Sequence, residues 1–211
     1  MLMLSDKIKT YITQHTSPEI GILAKLNKET NQRTPMPQML AGHYQGMFLQ
    51  MVSRALRPKT ILEIGTYTGY SAICLAQGLQ SGGQLFTIDM NETLKPMANR
   101  FIKQAGLNES ITLLSGNALE IVPTLNKIYD LVYIDADKLN YSKYYDLIVD
   151  NVRPGGIILA DNVLWSGAVV NTPEDKKTKA IDDFNKKVQA DERVKNIILS
   201  IRDGVMWIER L

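Results

Sequence analysis

Between residues 60 and 160 the chain carries five short apolar runs: Ile61-Leu62-Glu63-Ile64, Leu85-Phe86-Thr87-Ile88, Ile111-Thr112-Leu113-Leu114, Leu131-Val132-Tyr133-Ile134 and Ile157-Ile158-Leu159-Ala160. They lack the in–out alternation of a half-exposed strand, so they read as strands buried on both faces. Such strands form a mostly parallel sheet with helices on both sides. The intervening segments supply the helices. Leu94, Met97, Ala98, Phe101 and Ile102 form one stripe, ended by Gly106; Tyr141, Tyr144, Tyr145, Ile148 and Val152 form another, ended by Pro154-Gly155-Gly156. A last helix carries Ile181, Phe184 and Val188. Two further strands, Val194–Leu199 and 205–209, are joined through Arg202-Asp203-Gly204, whose Asp-Gly is a turn signal. They predict a hairpin at one end of the sheet, with one antiparallel strand.

Upstream, residues 5–31 read as helical with a break at Ser17-Pro18, Pro18 in the first turn of the second helix and Ser17 as its cap. Arg33-Thr34-Pro35-Met36-Pro37 is a stiff connector. Leu40, Tyr44, Met47, Phe48, Met51, Val52 and Ala55 then repeat at helical spacing, a Met-rich stripe expected to pack as core. The organisation expected is an N-terminal helical extension, 1–35, and one domain, 36–211. Lys plus Arg number 24 against 22 Asp plus Glu, a net charge of +2. Bulk charge that small does not point to nucleic acid or an anionic membrane. The single cysteine, Cys74, excludes an intrachain disulfide. No apolar run approaches the roughly 20 residues of a membrane helix, and Asp6 interrupts what would be a signal-peptide core. The expected setting is the cytoplasm.

In an open parallel sheet, ligands bind outside the carboxyl ends of the strands. Acidic residues gather at that end of four runs: Glu63, Asp89, Asp135 and Asp161, the last followed by Asn162. One such residue is ordinarily a cap or a turn former; four on one edge indicate a site. The first loop, Gly65-Thr66-Tyr67-Thr68-Gly69, lets backbone approach a ligand closely, yet it is not the G-x-G-x-x-G dinucleotide fingerprint. Tyr67 stands where the second glycine would be and would crowd a pyrophosphate. The loop suits a nucleoside cofactor without one, with Asp89 placed to accept hydrogen bonds from both ribose hydroxyls. Asp135, Asp161 and Asn162 form a set of hard oxygen ligands suited to Mg2+ rather than zinc, with a loop-capping role as the other reading of Asn162. Lys138, three residues after Asp135, is either a salt-bridging lysine or a catalytic base, and spacing does not choose between them. Trp165 is either an aromatic wall for a planar ring or a core residue.

Three segments carry a family resemblance: 62–71, Asp135-Ala136-Asp137-Lys138-Leu139-Asn140-Tyr141, and Asp161-Asn162-Val163-Leu164-Trp165-Ser166-Gly167. From about Met36 onward the chain resembles the metal-dependent class I O-methyltransferases, the family of caffeoyl-CoA O-methyltransferase with catechol O-methyltransferase as a relative. The resemblance implies one Rossmann-like domain with a seven-stranded sheet of order 3-2-1-4-5-7-6, and S-adenosylmethionine as cofactor. Glu63 then holds the methionine amino group, with Gly65 and Ser71 lining that end. Asp89 binds the ribose, Ala118 meets the adenine through its backbone, Met39 and Ala41 cover the cofactor, and Asp137 faces it together with Asp135. Asp135, Asp161 and Asn162 match the ligands of Mg2+ (or Mn2+ or Ca2+), and Lys138 matches the general base. The resemblance also implies a homodimer.

A free phenol has a pKa of about 10, so little phenolate exists at neutral pH; metal coordination lowers that pKa. A vicinal diol offers the metal two oxygens, so the acceptor expected is a small catechol-type aromatic. The glutamate that helps hold the diol in the vertebrate catechol enzyme has no counterpart in Leu199-Ser200-Ile201-Arg202, which weighs against catechol itself. Two other readings compete. One is methylation of a hydroxylated uridine in tRNA, with 175–179 and Lys186-Lys187 as the RNA contact, although Asp182, Asp183, Asp191 and Glu192 lie close by. The other is a catalytically silent cofactor-binding scaffold, which would have no need for the clustered carboxylates.

Overall fold

The computed structural model describes residues 5–171 and 175–211. The chain runs α1 (Asp6–Gln14), α2 (Gly21–Arg33), α3 (Gly42–Leu56), β1 (Thr60–Ile64), α4 (Tyr70–Ala76), β2 (Gln84–Asp89), α5 (Lys95–Gln104), β3 (Ile111–Ser115), α6 (Ala118–Leu125), β4 (Tyr129–Ile134), α7 (Tyr141–Ile148), β5 (Val152–Asp161), α8 (Lys176–Gln189), β6 (Val194–Leu199) and β7 (Val205–Arg210). The seven strands form one sheet of order β3-β2-β1-β4-β5-β7-β6. The five apolar runs of the sequence are its parallel strands. The expected hairpin is present, with β7 inserted antiparallel between β5 and β6. Asp161 pairs with Val205, so β7 starts where β5 ends. That antiparallel start brings the β6–β7 turn to the carboxyl edge of the sheet. Among the described residues no helix is long and apolar enough to cross a membrane.

The core has two layers, one on each face of the sheet. Val132 and Ile134 of β4 belong to the layer of α6, α7 and α8; Leu131 and Tyr133 belong to that of α2 to α5. Period-two strand geometry, with both faces covered, therefore makes β4 apolar throughout. The N-terminal helix α2 buries Leu23 and Leu26 in the second layer and its Thr30 hydroxyl donates to Thr68 Oγ1 at 3.1 Å.

Three expectations need correction. The second helix begins at Gly21, not Pro18, and Ser17 does not cap it. Residues 17–20 run without helix, and Glu19 accepts a hydrogen bond from the Tyr70 hydroxyl. The real capping serine is Ser5, which accepts from Ile8 N at the start of α1. Val152 is the first residue of β5 rather than the end of a helical stripe; it pairs with Tyr129 ahead of a register shift. Asp130 beside that shift binds Arg153 Nε at 2.5 Å. The third concerns α3. Its buried face is Gln45, Gly46, Leu49, Gln50, Val52 and Ser53, whereas Tyr44 and Met51 are exposed and Met47 and Phe48 only half-buried. The cause is close helix packing. A Cβ on Gly46 would lie 2.6 Å from the Tyr70 ring and 3.0 Å from Cys74 Sγ, and Ser53 Oγ donates to Leu75 O at 2.5 Å. The tight α3–α4 contact takes small and polar residues beside Leu49 and Val52, and it leaves Tyr44 and Met51 facing outward.

Candidate active site

A cavity of about 730 Å³ opens at the carboxyl ends of β1, β2, β4 and β5. Gly65, Ser71, Asp89 and Ala118 line one part of it; Asp135, Asp137, Lys138, Asp161, Asn162 and Trp165 line another. Met39 and Ala41 form part of its rim, from a short 3-10 turn (Pro37–Met39) before α3. Twelve of the thirteen residues singled out in the sequence thus meet at one cavity. Glu63 stands behind it.

The first loop is built on β1. Gly65 has φ +104°, and a Cβ there would lie 1.9 Å from the Asp135 carbonyl oxygen, so only glycine fits between β1 and β4. Asp89 does more than wait for a ligand. Its Oδ2 accepts from Thr66 N (3.0 Å) and Tyr67 N (2.7 Å) and its Oδ1 from Asn91 N (2.8 Å), which ties the loop to the end of β2. Oδ1 retains acceptor capacity for a hydroxyl. Ala118 opens α6 behind Asn117, whose side chain caps that helix. Glu63 is fully buried. Its Oε2 accepts from the Thr87 hydroxyl, while Oε1 has no partner among the described residues. Burial pushes its pKa up to about 8; the Ser71 and Thr87 hydroxyls pull it back only in part, and the charges of Asp135 and Asp89 push it further up. A buried carboxyl with an orphan oxygen beside an open cavity fits a cationic group such as an amino group.

The second constellation gathers at the ends of β4 and β5. Asp161 is buried; its Oδ2 accepts from Gln45 Nε2 (2.6 Å) and the Tyr133 hydroxyl (3.0 Å), and its Oδ1 from Asn162 N (2.8 Å). Burial first, then the charge of Asp135, raises its pKa to about 6, against the lowering effect of Gln45, Lys138 and the Asn162 N–H. Burial and the same two carboxylates hold the Tyr133 hydroxyl far above its ordinary range, so it remains a donor. Lys138 is buried, and its Nζ donates to Asp135 Oδ1 (3.0 Å) and the Tyr141 hydroxyl (2.6 Å). The Tyr141 hydroxyl lies within hydrogen-bond reach of Asp161 O (3.0 Å) and Ile134 O (3.2 Å), so it links both strand ends. Asp137 accepts from the Tyr144 hydroxyl (2.6 Å) and Asn140 Nδ2 (3.0 Å). Among the described residues no three His, Cys, Asp or Glu side chains gather around one point. A cation here would rest on two carboxylates and the Asn162 amide oxygen, with water or substrate oxygens for the rest. The mutual repulsion of Asp135 and Asp161 fits such a cation, since a divalent charge would relieve it.

The β6–β7 turn completes the site. Asp203 Oδ1 accepts from Ser166 N at 2.5 Å, its carbonyl from Leu164 N at 3.0 Å, and the Gly204 carbonyl from Val163 N at 3.1 Å. These bonds hold the loop after β5, where Asn162, Trp165 and Ser166 all have positive φ. Trp165 packs on the core and also lines the cavity. Gln45, Tyr133, Tyr141 and Asp203 were not foreseen as site residues. Asp203 carried a sequence signal only for the turn, and Tyr141 stood in one of the segments that carry the family resemblance.

The O-methyltransferase family model matches residues 13–211. Caffeoyl-CoA O-methyltransferase of Medicago sativa is 30% identical over 224 residues, covering 100% of this chain and 91% of the relative. Among solved structures, the O-methyltransferase from Bacillus cereus in complex with SAH superposes with a TM-score of 0.90 at 30% identity, covering 97% of both chains. TomG from Streptomyces achromogenes, involved in tomaymycin synthesis and solved in complex with SAM, superposes with a TM-score of 0.88 at 27% identity over 97% of this chain and 96% of its own. With a family model spanning all but the first twelve residues, and relatives matched along nearly their whole length, the chain belongs to the O-methyltransferase family.

Proposed function

We propose that the protein transfers a methyl group from S-adenosylmethionine to one hydroxyl of a small aromatic vicinal diol, with a divalent cation such as Mg2+ and as a homodimer. The observation that carries this reading is the meeting of two constellations at one cavity: Gly65, Asp89 and Ala118, with Glu63 behind them, and Asp135, Lys138, Asp161 and Asn162 opposite. S-adenosylmethionine, when bound, supplies a methyl group on a positively charged sulfur, and a divalent cation, when bound, lowers the pKa of an acceptor hydroxyl.

The chain's own residues bind, orient and move a proton. Glu63 is assigned to the amino group, with Gly65 and Ser71 at that end; Asp89 to the ribose hydroxyls; the Ala118 backbone to the adenine; Met39 and Ala41 to the cover. Asp135, Asp161 and Asn162 are assigned to the cation, and Asp137 to the wall facing the cofactor. Lys138 takes the acceptor proton at Nζ as the neutral amine, whose two hydrogens go to Asp135 Oδ1 and the Tyr141 hydroxyl and whose lone pair receives the proton. Trp165 gives a planar ring a wall, and proximity supplies much of the rate. Three of the five lysines offered as an RNA contact are paired with carboxylates. Lys179 pairs with Asp183 and Lys186 with Asp182, both at 2.6 Å, Lys187 pairs with Asp146, and Asp175 serves as the cap of α8. The test is a methyl-transfer screen with labelled cofactor, comparing 3,4-dihydroxy aromatics, caffeoyl-CoA and unmodified tRNA. Monomethylated diol is the expected product; methylated tRNA with no turnover of any diol would overturn the reading.

A further inference from the structure

The cover of the cavity is fastened from a distant part of the chain. Arg202, in the β6–β7 turn, has φ +48°, a conformation that favours glycine. The turn itself gains nothing from an arginine there. What arginine adds is its fork. Although the residue is exposed overall, its Nη1 donates to Leu40 O (2.9 Å), Ala41 O and Gln45 Oε1 (3.3 Å), and its Nη2 to Gln38 O (3.4 Å). Those acceptors are the 38–41 strap, which lines the cavity, and the first turn of α3. A helix N-terminus disfavours a cation, so general helix electrostatics does not account for the placement.

We propose that Arg202 is a positioning residue that latches the 38–41 strap over the cofactor end of the cavity and, through Gln45, orients Asp161. Arginine can only donate. The Gln45 amide must therefore turn its oxygen to Arg202 and its Nε2 to the Tyr133 hydroxyl (2.8 Å) and Asp161 Oδ2 (2.6 Å). The other end of the strap is held from the opposite wall. The Tyr67 hydroxyl lies 2.7 Å from Thr34 Oγ1 and 3.0 Å from Met36 O, and Tyr67 too has a positive φ, +50°. Asp203, next to Arg202, holds the loop that carries Trp165. Adjacent residues of one turn thus grip the cofactor cover and the acceptor wall.

The test compares the parent with Arg202→Gly and Arg202→Lys. Glycine suits the left-handed turn, so a loss of function in Arg202→Gly cannot come from backbone strain. Hydrogen exchange on the ligand-free proteins is expected to show faster exchange at residues 38–45 in Arg202→Gly, with the protection of β1, β4 and β5 unchanged. Calorimetric titration with S-adenosylmethionine is expected to give a Kd weaker by roughly tenfold, about the worth of one hydrogen bond to a charged group. Arg202→Lys, with one nitrogen in place of a fork, is expected to restore affinity only in part. Unchanged exchange at 38–45 with an unchanged Kd overturns the latch. Protection lost evenly across the sheet also overturns it, making Arg202 a fold residue. The affinity arm rests on the cofactor proposed above; if the parent itself does not bind S-adenosylmethionine, that reading fails, and the exchange comparison still decides the latch.

Discussion

Glu63 is fully buried, and the consequences are measurable. Its folded pKa of about 8 lies above the ordinary value of 4.5 because burial disfavours the carboxylate. The group is therefore protonated in the ligand-free fold at neutral pH. Its contribution to stability is full below pH 4.5 and is lost as pH rises toward 8, since only the unfolded chain ionises freely in that window. Glu63→Gln is expected to raise the ligand-free Tm at pH 8, by several degrees, and to weaken S-adenosylmethionine binding. A bound ammonium favours the carboxylate, so binding releases a proton below pH 8. Calorimetry should show affinity rising between pH 6 and pH 8, by at most about tenfold per unit, and a flat profile for Glu63→Gln. A flat profile in the parent would remove Glu63 from the cofactor site. Lys138→Ala is expected to lower turnover by about 10²–10⁴-fold, the usual reach of general-base catalysis, while acceptor binding changes little. Near-normal turnover in steady-state assays would make Lys138 a structural partner of Asp135.

At the scale of elements, the outward face of α3 leaves apolar side chains exposed. Tyr44, Phe48 and Met51 share one side of the helix, with Met51 64% exposed. Phe48 meets Trp207 edge to face at 6.4 Å between ring centroids, and Trp207 pairs with Ile197 of the edge strand β6, itself 57% exposed. The proposed homodimer is expected to bury this patch. Light scattering at micromolar concentration should give twice the chain mass, and Met51→Glu with Ile197→Glu should give the monomer; a monomeric parent contradicts it. The same helix marks a limit of sequence reading. Its apolar periodicity gives a helix and an apolar stripe, but periodicity does not say which surface covers the stripe. Gly46 and Ser53 decide that, through a close approach to α4 that lies outside any local pattern. Val152 misled for a related reason, because a β-branched residue at helical spacing fits either element until its pairing with Tyr129 is known.

The whole molecule places its chemistry by topology. Strands buried on both faces produce apolar runs that are legible in one dimension, and the acidic residues that follow them mark the carboxyl edge. That is why Asp89, Asp135 and Asp161 could be picked out from the sequence. The residues that orient them could not. Gln45 reaches Asp161 across 116 positions and Arg202 reaches Ala41 across 161, and the second of these pairs exists only once β7 has been inserted beside β5. Charge also acts at this scale. A net charge of +2 gives little hold on phosphates, so turnover of the acceptor is expected to depend only weakly on salt, whereas an RNA acceptor would bring a steep loss as salt rises. The most direct measurement is methyl transfer from labelled S-adenosylmethionine to a 3,4-dihydroxy aromatic, before and after chelation with EDTA. Monomethylated product is expected that disappears on chelation and returns with Mg2+ or Mn2+; full turnover in metal-free buffer, or no turnover of any vicinal diol under either condition, would contradict the proposed function.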